Sequence, residues 1–346
     1  MLLNQLKLTA CGVVVVSIVC ASEAGLAQQP VTDAATRESV IVRFAQTDAA
    51  GEVPDFKQHV VPLLGKLGCN GRACHGSFQG RGGFRLSLFG YDFDADHDEI
   101  HGRVDPEVPA ESVFLQKPLM QVQHEGGQRL KEGTWEHHLL RRWIEGGSNG
   151  QVEEPAKLTK LEITPTEILF SADGQKQQLK AVAIWSDGST EDVTALCRFQ
   201  TNDDQIADIT ADGLVQSGLS GDTHVVAFYD SAVVPVPVIR PVTDQFGDRY
   251  PATPTPSKID ELVVQKLRKV GIVQSDLCND AEFLRRVSLD VTGTLPTTEE
   301  VRQFLSDTNA DKRSRKIDEL LERPGYVAWW TTRLCDFTGN SDDKLN

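Results

Sequence analysis

The sequence has few methionines and no excess of basic residues. Only two of its 346 residues are Met, and 35 Lys and Arg face 50 Asp and Glu, which gives a net charge of -15 at pH 7. A negative field repels phosphate backbones and anionic membrane surfaces, so we expect no nucleic-acid partner. Apolar residues make up 40% and charged residues 25%, which excludes a collagen-like or broadly disordered chain.

Long apolar runs are also lacking beyond the N-terminus. The run from Leu8 to Ala21 follows a single charge, Lys7, and is followed by the small residues of Ala24–Ala27. This order is typical of a secretory signal peptide, so we predict a signal over residues 1–27 and export to the periplasm or cell surface. An uncleaved anchor is the alternative. After signal cleavage we expect no transmembrane span.

Cysteine is sparse, and its pattern is informative. Five of the seven cysteines lie outside the predicted signal, an odd number that disulfides within an exported chain cannot use up. Cys69 and Cys74 are separated by four residues and followed at once by His75. A c-type haem needs two thiols for its vinyl groups and an adjacent imidazole for iron, although the usual spacing is two residues. A disulfide, a zinc site that includes His75, or packed thiols remain open from spacing alone.

Hydrophobic periodicity divides the chain. Residues 28–51 are polar and predict a flexible leader. Within residues 52–150, one amphipathic helix leads from Phe56 into the cysteine pair, and a second ends at Gly146. This order is the plan of a small cytochrome c, so we expect a mostly α domain. The alternating acids from Asp92 to Asp98 predict a solvated acidic loop.

The remaining chain changes character twice. Residues 158–240 alternate apolar and polar positions between turn signals, which predicts an all-β sandwich. Residues 241–257 contain four prolines and predict a linker. Residues 258–346 return to helical spacing, with a capping box from Thr297 to Glu300. The predicted fold class is therefore multidomain, with a mostly α domain, an all-β sandwich and an α-helical C-terminal domain.

The residues around the cysteine pair carry a family resemblance. The runs Leu67–Gly76 and Gly83–Asp92 resemble the N-terminal cytochrome-c-like region of large exported planctomycete proteins, in which a widened Cys–Cys–His motif recurs. The resemblance covers roughly residues 52–150. It implies a covalent haem c bound by thioethers to Cys69 and Cys74, with His75 as the proximal iron ligand.

Two further regions carry resemblances. Residues 158–240 resemble a bacterial Ig-like domain of group 2, on Leu161–Pro165, Ser186–Gly188 and Gly213–Val215, and such modules act as spacers. Residues 258–346 resemble the start of a planctomycete domain of unknown function, on Asp280–Asp290 and Gly293–Pro296. The second resemblance implies that the chain is a truncated member of its family.

The sixth iron ligand has two candidates. The resemblance favours His124, which precedes a Gly-rich run and Arg129, although Glu125 interrupts that run. Met120 is the only Met left after signal removal and is the alternative, while Arg129 is a candidate to pair with a haem propionate. We expect an exported electron-transfer protein whose partner is a redox protein or oxidoreductase domain. The alternative is a non-redox adhesion or scaffold protein in which Cys69 and Cys74 form a disulfide.

Overall fold

A computed structural model describes residues 36–46, 51–150 and 155–339. The predicted signal peptide and the first part of the predicted leader lie outside the described residues. The chain separates into two compact units: one extends to Arg249 and includes Lys269–Gly271, and the other comprises Tyr250–Arg268 and the residues from Ile272 onward. The boundary at Arg249 falls inside the predicted linker.

The first unit begins with a helical part. Its helices are α1 (Val40–Arg43), a π-helical turn (Phe56–Val60) that continues into α2 (Val61–Lys66), α3 (Phe93–His101), α4 (Val113–Leu119) and α5 (Trp135–Glu145). The helix predicted to lead into the cysteine pair is confirmed, and Asp55 caps its start by accepting the Gln58 N–H at 2.7 Å. Gly146 ends α5 as predicted.

Part of the predicted flexible leader is packed. Val40 and Phe44, at either end of α1, have no exposed surface. The Arg37 N–H donates to the Thr190 carbonyl at 2.8 Å, and the Asp192 N–H donates to the Arg37 carbonyl at 3.1 Å. Residues 36–46 therefore belong to the folded unit, because two buried apolar side chains and a short parallel bridge hold them.

The predicted acidic loop is also wrong. Residues 93–101 form α3, and the Asp92 carboxylate accepts the Ala95 N–H at the helix start. The Asp96 carboxylate is buried and accepts the Ser87 hydroxyl at 2.7 Å. Asp92, Asp94 and Asp98 are exposed as predicted, so the prediction fails in the helical conformation and in the burial of Asp96.

The second part of the first unit is built of strands. The strands are β1 (Leu158–Thr164), β2 (Ile168–Leu169), β3 (Lys176–Gln178), β4 (Lys180–Trp185), β5 (Thr190–Asp192), β6 (Arg198–Thr201), β7 (Ala207–Ile209), β8 (Leu214–Ser217), β9 (Gly221–Tyr229) and β10 (Ala232–Arg240). They form three sheets with orders β1-β4-β5, β2-β10-β9-β6 and β3-β8-β7. Alternate residues of β9 are buried, which confirms the predicted strand period.

The helical and strand parts share one hydrophobic core. The Tyr229 hydroxyl, from β9, donates to the Gln58 carbonyl at 2.7 Å. The Arg198 guanidinium lies 4.5 Å from the ring centroid of Phe89 and 3.9 Å from that of Phe228. The strand part therefore packs directly against the helix and loop that carry the cysteine motif.

The second unit is helical, as predicted. Its helices are α6 (Lys258–Val270), α7 (Asp280–Thr292), α8 (Thr298–Ser306), α9 (Lys312–Leu321) and α10 (Pro324–Thr338). The capping box is confirmed, since Thr297 and Glu300 each accept the other's backbone N–H. In the described ranges, no helix combines the length and apolar character needed to cross a membrane.

Candidate cofactor site

The cysteine motif lies in a loop that folds back on the end of α2. The Cys69 N–H donates to the Leu64 carbonyl at 2.8 Å, and the His75 N–H donates to the Cys69 carbonyl at 2.9 Å. Gly76 follows, and a Cβ on it would lie 2.0 Å from the Asn70 backbone oxygen. The loop therefore closes only because residue 76 has no side chain.

This loop forms one wall of a cavity with a volume of about 610 Å³, a size typical of cofactor pockets. Five of the six predicted site residues line the cavity. One of them, Arg129, lies at its exposed edge. These lining residues are Cys69, Cys74, His75, His124 and Arg129. Met120, the other ligand candidate, does not line the cavity. It ends α4 in a left-handed conformation, and 46% of its surface is exposed.

His75 is oriented by the backbone. Its Nδ1 donates to the Phe84 carbonyl at 3.1 Å, and the ring centroids of His75 and Phe84 are 4.6 Å apart. Burial lowers the pKa of His75, and the nearby His124 and Lys117 lower it further, while the carbonyl contact opposes them. The imidazole is thus neutral near pH 7, with its Nε2 lone pair available to a metal.

His124 is held in the same way from the opposite wall. Its Nδ1 donates to the Gly127 carbonyl at 2.8 Å. A Cβ on Gly126 would lie 2.8 Å from the imidazole ring, so the glycine makes room for it. The Glu125 that interrupts the family-like run is exposed and leaves this arrangement intact.

The two imidazoles both line the cavity and lie close together. Their ring centroids are 6.3 Å apart and their planes differ by 14°. One metal ion bound by both Nε2 atoms, with bonds of about 2 Å, would separate two opposed centroids by about 6 Å. Backbone acceptors on both Nδ1 atoms are the outer contacts that metal-bound histidines usually make. In this separation and in their outer contacts, His75 and His124 would be suited to ligate one metal ion, such as a haem iron.

The same residues suit a zinc ion less well than a haem. Over the described ranges, no three His, Cys, Asp or Glu side chains converge closely enough to hold one ion. Haem needs no such convergence, because the porphyrin supplies the equatorial ligands and the two thiols bond to its periphery.

Cys69 and Cys74 are unbonded thiols. Burial raises the pKa of Cys69 to about 12, and the neighbouring Cys74 adds to the rise. A catalytic or redox-active cysteine needs a lowered pKa, because the thiolate is the reactive form. Cys69 thus lacks the setting of a dithiol redox site.

The cavity lining combines apolar and cationic side chains. The apolar side chains are Leu64, Leu67, Phe84, Val113, Phe114, Pro118 and Leu140. The cations are Arg81, Arg103, Lys117 and Arg129, and Glu125 is the one acid of the lining that the structure describes. Such a lining suits a flat apolar ligand that carries anionic groups. Among these cations only Arg129 was predicted from the sequence, since periodicity does not show which loop cations converge.

Comparison with known proteins informs mainly the second unit. Residues 258–346 match a family described as a protein of unknown function (DUF1549), which confirms the assignment of these residues to a domain of unknown function. No curated protein matches the chain. Domains 5–6 of the S-layer protein SbsC align with 18% identity and a TM-score of 0.22, over 30% of this chain and 58% of that one. So low a score supports no inference about fold or function.

Proposed function

We propose that residues 52–150 form a cytochrome-c-like domain with one covalently attached c-type haem, and that the protein transfers electrons. The observation that carries the proposal is that one cavity is lined by both motif cysteines and by two imidazoles that backbone carbonyls orient. A bound haem would supply one-electron redox chemistry. Cys69 and Cys74 would hold it by thioethers, and His75 and His124 would ligate its iron.

The other lining residues have roles that follow from their chemistry. Leu64, Phe114 and Leu140 are buried and keep water from the interior of the cavity, which favours a stable redox centre. Arg129 is exposed at the cavity edge, where its Nε donates to the Gly126 carbonyl at 2.9 Å. Its remaining guanidinium donors are placed to bind a propionate.

The strand part, residues 158–240, is proposed to be an Ig-like domain of group 2. Its contacts support a role beyond spacing, because Tyr229 and Arg198 reach the helix and loop that carry the motif. We propose that the strand part holds that loop in place. The predicted signal peptide supports export to the periplasm or cell surface, where haem c is attached in bacteria.

Expression in a host with haem-attachment machinery tests the proposal. The purified protein should show a sharp reduced α-band, and the chromophore should stay with the protein through acid–acetone extraction. The Cys69→Ala/Cys74→Ala variant should lose the chromophore while keeping its far-UV circular dichroism. A colourless wild-type protein from that host contradicts the proposal.

A further inference from the structure

The motif helix and loop have a charge opposite to that of the protein. From Phe56 to Tyr91 the sequence contains Lys57, Lys66, Arg72, Arg81 and Arg85, and no Asp or Glu. The whole chain has a net charge of -15. The positive charge is therefore concentrated in the segment that forms one wall of the cavity.

Several cations near the cavity have no salt bridge. Lys66 pairs with Asp212 at 3.3 Å, and Arg103 pairs with Glu99 at 3.1 Å. By contrast, Arg72, Arg81 and Arg85 form no ion pair with any residue the structure describes, and neither do Lys117 and Arg129. Arg81, Lys117 and Arg129 line the cavity with one acid, Glu125, and in a chain so rich in acids these unpaired cations leave a local positive field.

An exposed aromatic side chain lies among these cations. Phe78 is 86% exposed, and the Arg85 guanidinium lies 5.6 Å from its ring centroid. Exposed aromatic residues beside arginines are typical of protein interfaces. Val113, in the cavity lining, is also 44% exposed.

We infer that this face docks an acidic redox protein and that electrons pass at the cavity edge. We call it the cationic face, defined by Arg72, Phe78, Arg81, Arg85, Lys117 and Arg129. The inference rests on the proposed haem. Charge complementarity identifies the partner as acidic, and steering by the local field would accelerate encounter despite the protein's negative net charge.

A binding measurement tests the face without haem. The full-length Cys69→Ala/Cys74→Ala protein is titrated into a fluorescein-labelled poly-aspartate peptide at low ionic strength. We expect binding that weakens with salt, and about a tenfold loss of affinity when Arg72→Glu and Arg85→Glu are added. The matched control is Lys157→Glu/Lys176→Glu, which changes net charge equally on exposed residues of the strand part and should bind almost as before.

A kinetic measurement tests the face with haem attached. Ferricyanide takes one electron from the reduced protein and becomes ferrocyanide. Its rate should fall as ionic strength rises, although a net charge of -15 alone would give the opposite sign. The Arg72→Glu/Arg85→Glu protein should react about tenfold more slowly with an unchanged spectrum. If Arg72→Glu prevents haem attachment, Arg85→Glu alone serves.

Three results would overturn the inference. In the first, ferricyanide oxidation of the wild type accelerates with salt. In the second, both double variants weaken peptide binding equally. In the third, a salt-sensitive dimer that Arg72→Glu/Arg85→Glu abolishes would assign the face to a second copy of the chain. Failure to attach haem would defeat the proposed function instead, and the peptide titration would still report on the face.

Discussion

The Nε2 atom of His59 lies 3.1 Å from a carboxylate oxygen of Glu191, whose side chain has no exposed surface. His59 Nδ1 accepts the Asp55 N–H at 2.8 Å, so the ring proton is on Nε2 and is donated to Glu191. Arg43 also pairs with Glu191. One buried carboxylate thus joins β5 to α1 and to the π-helical turn, across sequence separations of 148 and 132 residues.

Removal of this carboxylate should destabilise the first unit strongly. Glu191→Ala leaves His59 without its buried partner and leaves Arg43 paired only with Glu52, and we expect a loss of about 3 kcal/mol in the free energy of unfolding. The matched control is Glu145→Ala, which removes an exposed pair with Arg141 and should cost less than about 0.5 kcal/mol. Urea denaturation followed by tryptophan fluorescence measures both, and equal losses would contradict the account.

The same carboxylate should make the first unit sensitive to acid. Burial alone would raise the pKa of Glu191, but the hydrogen bond from His59 and the charge of Arg43 outweigh it and lower the pKa below 4.5. A lowered folded pKa contributes stability above the unfolded value, and that stability is lost as pH falls through the folded pKa. Denaturation at a series of pH values from about 6 down to about 3 should show this loss, and Glu191→Gln should reduce its slope. If the stabilities of the wild type and of Glu191→Gln fall in parallel with pH, Glu191 is not the cause of the acid sensitivity.

Two substitutions distinguish His124 from Met120 as the sixth iron ligand. His124→Ala should convert the low-spin spectrum of the loaded protein to a high-spin one, because the opposed imidazole is lost. Met120→Leu should leave the spectrum unchanged, because Met120 lies outside the cavity lining. Visible and electron paramagnetic resonance spectra report the spin state. A spectral change in Met120→Leu with none in His124→Ala would reverse the assignment.

Gly76 should be intolerant of any side chain. The Cβ of Gly76→Ala would meet the Asn70 carbonyl, and relief of that overlap should cost about 1–3 kcal/mol and displace His75. We expect a large fall in the haem-to-protein ratio. Gly102→Ala is the matched control, since its Cβ would meet only the Asp98 oxygen at 4.0 Å and its φ of -66° suits alanine. Similar haem content in both variants would argue against a packed motif loop.

Local patterns predicted most of the secondary structure. The apolar spacing before Cys69, the glycine after α5 and the Thr297–Glu300 box each depend on residues within one or two turns. One of the two misses involved long-range packing. Residues 36–46 are ordered by strand β5, more than 140 residues later, and such a contact leaves no periodicity in the sequence.

The candidate site likewise contains residues that local spacing predicted and residues that only the folded chain brings together. Cys69, Cys74 and His75 are adjacent in sequence, so their spacing alone placed them together. The choice between His124 and Met120 required the path of the chain after α4, which turns at Met120 in a left-handed conformation and leaves its side chain exposed. Arg81 and Lys117 reach the cavity from separate segments, and sequence spacing gave no sign of it.

The covalent haem is tested most directly by a tryptic digest of protein from a haem-attaching host. Cleavage after Lys66, Arg72 and Arg81 places Cys69 in residues 67–72 and Cys74 in residues 73–81. After reduction and alkylation, the account predicts that these two peptides stay joined by the mass of one haem and absorb in the Soret region. Two separate peptides, each alkylated on cysteine, would contradict it.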